Sequence, residues 1–320
     1  MLGRPANESF AMIRRDDLWI EGALREERRA AGEATRSWNE ISARDRIADP
    51  ALWRELTERC DAAMDSVRGA VALARDARVR AIATASTEGV EVTMTVTLAG
   101  ISIVTAPEQA EHDIDALRNL LAERPGAALP GHVLPIVWRN GSAAVLLHEA
   151  AGHAAEAGHA PAAWPSWLQV RDDTGEGRSS DLLAAKPPLR FRRESFRDVP
   201  LRRMTALVAE QGGAPFELPR RRIEVHLLAG GGYDPLAETV SLSVAVADLV
   251  DDAGARRLPA FALHARRGVV ARSLAGASGD PVRYPGVICS REGQEIFVAS
   301  RAPVMLTVPE AFAISGRETA

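Results

Sequence analysis

The stretch from Ser142 to Gly158 reads SAAVLLHEAAGHAAEAG and constrains the fold more than any other part of the chain. Its alanine and leucine content makes it helical, yet its two histidines, His148 and His153, stand five positions apart. On a straight α-helix that separation turns the second imidazole about 140° from the first, whereas the four-residue spacing of H-E-x-x-H turns it only about 40°. A π-turn, which winds more widely, brings positions five apart back to one side, and Gly152 tolerates the distortion. A local π distortion is therefore a candidate remedy for the spacing.

Imidazole is a common zinc ligand, and a Glu beside a metal-activated water can take its proton. His148-Glu149 followed by His153 thus reads as metal-assisted hydrolysis. For the H-E-x-x-x-H hexapeptide alone, an amphipathic core helix with two incidental histidines is the simpler reading.

A chain of 320 residues with 46% apolar content can bury one large core or two domains. Its 39 basic residues are outnumbered by 43 acidic ones, which argues against nucleic acid as a direct ligand. Arg, Asp and Glu run through the first thirty residues, excluding a secretory apolar core. No uncharged run approaches the length of a membrane span, so the expectation is a cytoplasmic protein without a membrane partner. Cys60 and Cys289 are too few for a disulfide framework.

Residues 1–132 read as an N-terminal helical and α/β region. Trp19, Ile20, Leu24, Trp38 and Ile41 fit amphipathic helices or packing segments. Asp49-Pro50 opens a helix to about Arg78 that carries Cys60. From Val79 the period changes to two, giving a strand pair about a Glu88-Gly89 turn, then a short strand at Ile101–Val104 and a helix from Pro107 to about Glu123. Residues 133–320 read as a second domain. Val133–Trp138 forms a strand, Ser142 caps the histidine helix, and the part from about residue 168 is mostly β. Trp164 and Trp167 read as packing anchors. Gly230-Gly231-Gly232-Tyr233 reads as a flexible loop between two strands, and the absence of a following Gly-Lys-Ser/Thr excludes a nucleotide loop. Taken alone, the arginines near 192 and 203 fit a solvated face better than a carboxylate clamp.

The run from Pro135 to Gly158 resembles the catalytic helix of the TldD/PmbA metallopeptidases, with its His-Glu-Ala-x-Gly-His core and following Glu. Three further pieces follow in the order of that family: Asp172-Asp173-Thr174-Gly175, Arg192-Arg193-Glu194-Ser195-Phe196, and Pro200-Leu-Arg-Arg203-Met204. Cys289-Ser290-Arg-Glu-Gly293-Gln294 is similar to the family's Cys-Gly-x-x-Gly-Gln box, although Ser290 replaces the usual Gly and the Gly-Gln-Pro tail is not retained. The region before the helix is short for a full-length member.

The resemblance implies an α+β fold, an N-terminal α/β unit followed by a catalytic helix packed on a mostly antiparallel β domain. It implies a zinc peptidase acting on unfolded or small peptides, with His148, His153 and Cys289 as ligands of one Zn2+ and Glu149 as general base. It also implies a homo- or heterodimer with a TldD/PmbA-related subunit. Glu156 is a candidate partner for an imidazole N–H, and Tyr233 a candidate substrate contact. His159 and His226 are left outside the ligand set. Two competing readings are a non-catalytic, peptide-binding relative and a thiol hydrolase with Cys289 as nucleophile.

Overall fold

The computed structural model describes residues 11–20, 23–31, 50–72, 76–86, 89–132, 134–173, 179–185, 187–192, 199, 201–211 and 214–316. The expectations for Trp38, Ile41, the Asp49 cap, the Glu88 turn, Thr174-Gly175, Arg193 to Phe196 and Pro200 lie outside those residues.

In chain order the elements are strands β1 (Ala11–Ile20) and β2 (Ala23–Ala31), helix α1 (Pro50–Ala72), and strands β3 (Asp76–Ser86), β4 (Gly89–Leu98) and β5 (Ile101–Thr105). Helix α2 (Pro107–Ala122) and strand β6 (Ile136–Trp138) precede α3 (Ala143–Leu147), a π-helical turn (His148–Gly152) and α4 (His153–Glu156). Then come β7 (Leu168–Asp173), β8 (Ser179–Asp181), β9 (Arg190–Arg192), β10 (Leu201–Arg203), β11 (Ala206–Gln211), β12 (Arg222–Asp234), β13 (Thr239–Asp251), β14 (Gly254–Arg257) and β15 (Phe261–Arg266). Helix α5 (Arg267–Ser273), the long strands β16 (Leu274–Arg291) and β17 (Gln294–Thr307), a 3-10 turn (Pro309–Ala311) and β18 (Ala313–Gly316) complete the chain.

These elements cluster into two compact units, neither contiguous in sequence. One comprises Met1–Asn119, Arg190–Arg202 and Ile288–Phe297, the other Leu120–Leu189, Arg203–Val287 and Val298–Ala320. In the first, an antiparallel sheet of order β2-β1-β3-β4-β5 packs against α1. Leu56, Cys60, Ala63, Met64, Val67 and Val71 recur at helical spacing on α1 and are all buried. Val79, Ala81 and Ala83 alternate on β3 to face that helix layer. Residues 11–20 and 23–31 are paired strands, where the local composition fitted amphipathic helices or packing segments. Their register with β3, Ala11 opposite Ala85 through Ile20 opposite Asp76, is a long-range constraint that a local pattern does not carry. Arg15, nearly fully buried, pairs with Asp61 of α1 at 2.8 Å.

The second unit is built on a mostly antiparallel sheet of order β18-β15-β13-β12-β6-β17-β11-β7-β8, with β14 on β13 and β16 on β17. β6 runs parallel to β12 and antiparallel to β17. Ile136, Val137 and Trp138 are buried on both faces of this central strand. Trp138 meets Phe312 edge-on at 5.8 Å and donates its Nε1–H to Thr307 Oγ1 at 3.3 Å. Gly230–Gly232 form no loop. They lie within β12 and pair with Ser243, Leu242 and Ser241 of β13, and the hairpin turns only after Asp234. Among the described residues, no helix is long and apolar enough to cross a membrane.

Candidate metal centre

The histidine helix starts from the middle of the sheet. After β6 the chain reverses through Asn140 and Gly141, both at positive φ (52° and 73°). A Cβ on Gly141 would fall 2.6 Å from the Val282 carbonyl oxygen, so the turn requires glycine for space as well as conformation. Ser142 is not a side-chain cap. Its Oγ donates to the Val225 carbonyl at 3.0 Å, and Arg139 N–H reaches the same oxygen at 2.8 Å, tying the helix entrance to β12.

The backbone from His148 to Gly152 is π-helical, with His153 N–H donating back to His148 O. That wider turn sets the two imidazoles perpendicular, with centroids 4.8 Å apart. Gly152 is required by crowding. A Cβ there would stand 1.9 Å from Met204 Sδ, so the buried thioether fills the notch that the missing side chain leaves.

His148 is fully buried, and burial holds its pKa well below the usual histidine value, helped by the charges of His153 and Arg203. Neither of its ring nitrogens has a hydrogen-bond partner, and neither does Glu149 Oε2. Burial raises the Glu149 carboxyl to about 7; His153 pulls it down and Glu156 pushes it up. Glu149 Oε2 lies 3.6 Å from His153 Nε2.

Glu156 reaches back one turn and places Oε2 2.9 Å from His153 Nδ1. Its other oxygen accepts the Met204 N–H at 2.8 Å and lies 3.6 Å from Arg203 Nε, a guanidinium with no solvent exposure. Burial alone would raise the Glu156 pKa, but the His153 hydrogen bond and charge, the Met204 N–H and Arg203 together bring it below the ordinary value. Arg203 is therefore a carboxylate clamp, not part of a solvated face. The segment bearing Arg203 and Met204 is itself held by Asp172 of β7, whose Oδ1 accepts Thr205 N–H at 2.7 Å and Ala206 N–H at 2.9 Å. Sequence reasoning had no role for Asp172 or Met204 at the helix. Only their positions in the ordered motifs marked them, because the backbone that brings them there is remote in sequence.

Cys60 and Cys289 are both buried, and neither is in a disulfide. Among the described residues, one group of His, Cys, Asp or Glu side chains could hold a metal ion: His148, His153 and Cys289. Two imidazoles and a thiol make a donor set suited to zinc. Tyr233 OH lies 2.7 Å from His159 Nδ1. His226 pairs with Asp248 at 3.1 Å in a separate surface network. The cavity of about 490 Å³ beside Trp164, Pro165, Leu168, Arg171 and Asp181 takes in none of the predicted site residues, and both tryptophans are half-buried.

An α+β architecture that delivers a π-turn carrying two histidines onto a mixed sheet is the class this chain defines. Its fold is that of TldE from Thermococcus kodakarensis, at a TM-score of 0.56, 10% identity, and coverage of 96% of this chain and 95% of that one. A candidate modulator of DNA gyrase from Bacteroides thetaiotaomicron aligns with 12% identity and a TM-score of 0.49 over 96% of this chain and 93% of that chain. No family model and no curated protein matches the sequence. The TldD/PmbA resemblance carried by the motifs is thus matched in the fold.

Proposed function

We propose that the chain is a zinc-dependent peptidase of unfolded or small peptides, with His148, His153 and Cys289 as metal ligands and Glu149 as general base. The observation that carries this reading is the set of buried polar atoms in the turn that have no hydrogen-bond partner: both His148 nitrogens and Glu149 Oε2. A buried polar atom left without a hydrogen bond costs about 1–3 kcal/mol, and a ligand bound at the turn would offset that cost. Bound zinc would supply Lewis-acid polarisation of a scissile carbonyl and easier ionisation of water.

The protein's own groups do the rest. The Glu156 carboxylate takes the His153 Nδ1–H and so holds the tautomer in which Nε2 is the ligand atom. Glu149 would accept a proton from water and return it to the leaving amine; burial, which raises its carboxyl in the metal-free protein, favours that role. Tyr233, steadied by His159, donates its hydroxyl to the peptide. The protein works in the cytoplasm as a homo- or heterodimer with a TldD/PmbA-related subunit. Light scattering on size-exclusion fractions that found only monomer over a wide concentration range would end the assembly claim.

The deciding experiment is chelation. Activity on a peptide library is expected to vanish with the metal and return with zinc. Activity that survives chelation but falls to thiol alkylation would move the chemistry to Cys289. Peptide binding without turnover by zinc-replete protein would leave a binding subunit.

A further inference from the structure

The three glycines of β12 are not equivalent, and the difference falls on Glu149. A Cβ added at Gly230 or Gly232 meets nothing within 4 Å, whereas one at Gly231 would lie 2.7 Å from both Glu149 Cγ and Glu149 Oε1 and 2.9 Å from Cδ. None of the three has a positive φ, so an alanine is conformationally acceptable at each. The requirement at Gly231 is therefore one of space, made by a carboxylate on another element. Gly231 is itself exposed, while the Glu149 side chain is 4% exposed with its Oε2 3.6 Å from His153 Nε2.

From this geometry we infer that Gly231 is a positioning residue for Glu149: the missing side chain at one point of β12 is what lets the carboxylate stand beside His153. The inference rests on the peptidase reading for its kinetic consequence, though not for its geometry. It separates two controls on one turn. Gly152, filled by Met204, governs how the ligand-bearing backbone seats; Gly231 governs where the base points. The atoms that a side chain at 231 would displace belong to the outer part of a flexible side chain and not to backbone. Glu149 can therefore swing aside at small cost to the fold and at large cost to proton transfer.

The test compares wild type with Gly231→Ala, Gly230→Ala and Gly232→Ala, by crystallography and then by kinetics. In Gly231→Ala the Glu149 carboxylate is expected to leave its place while zinc content and melting temperature stay close to wild type. An unmoved carboxylate in the crystal overturns the inference whether or not any peptide is cleaved. With turnover, Gly231→Ala should lower kcat by about 10²-fold or more with KM little changed, while the 230 and 232 variants keep wild-type kcat. Equal losses in all three would assign the run to strand flexibility and defeat the proposal. Glu149→Asp withdraws the carboxylate by one methylene, so the Gly231→Ala/Glu149→Asp double variant should be no slower than the worse single variant. A multiplicative loss would contradict the steric link. Should wild type cleave nothing while the carboxylate still moves, the peptidase reading fails and the positioning of Glu149 stands.

Discussion

Helix α1 and the helix running from α3 through the π-turn to α4 are both built from alanine, leucine and carboxylates, yet they sit in opposite circumstances. On α1 one face is buried, from Leu56 to Val71, and the other carries exposed pairs such as Arg59 with Glu55 and Arg68 with Asp65. Along Ala143–Glu156 every residue except His153 is buried. One-sided burial leaves polar groups to water and makes them cheap to change. Burial on all sides leaves a polar atom no water to fall back on, so one that finds no partner in the fold calls for a ligand.

The sharpest way to break that contrast is to make the same carboxylate-to-amide change on both helices. Glu149→Gln should cut turnover by about 10²–10⁴-fold with zinc retained, while Glu58→Gln on the exposed face of α1 should leave rate and melting temperature unchanged in a paired assay. A survey of metal content comes next. His148→Ala should abolish stoichiometric zinc, whereas Leu56→Ala should lower stability by about 2–5 kcal/mol in denaturant unfolding and leave zinc binding intact. Smaller is the effect of Glu156→Gln, expected to weaken zinc by about 10–100-fold in competition titrations because His153 loses its anionic partner. The lowered Glu156 pKa also means its stabilisation is complete above the ordinary glutamate range and lost as pH falls below it, so the amide variant should flatten the acid limb of the stability profile. The smallest effect is Arg68→Ala, which removes a solvent-screened pair and should change unfolding free energy by no more than about 0.5 kcal/mol.

What could be read from the sequence follows the same division. Elements with one buried face announced themselves, α1 and α2 by a period near 3.6 and β3 and β4 by alternation, although α1 ends at Ala72 and not near Arg78, and residues 76–78 already belong to β3. The five-residue histidine spacing pointed to a π distortion as a candidate remedy, and the turn His148–Gly152 is π-helical. What stayed hidden depended on partners far along the chain. Ser142 looks like a cap until Val225 offers it a carbonyl. Gly230–Gly232 look like a loop until β13 pairs with them. Arg203 looks solvated until Glu156 meets it in the interior. Residues 11–20 fit an amphipathic helix or a packing segment until β3 extends the ladder. In each case the local pattern was compatible with two states, and a long-range contact chose between them.

The short strand β6 has one further effect. It pairs with Ile223–Val225 at the start of β12, and Arg139 and Ser142 both hold the Val225 oxygen, so the root of the histidine helix and the strand bearing Gly231 share a single beam. Warming cannot loosen one without the other. Heat inactivation should therefore coincide with cooperative melting of the sheet and show no earlier phase in which the protein stays folded but idle.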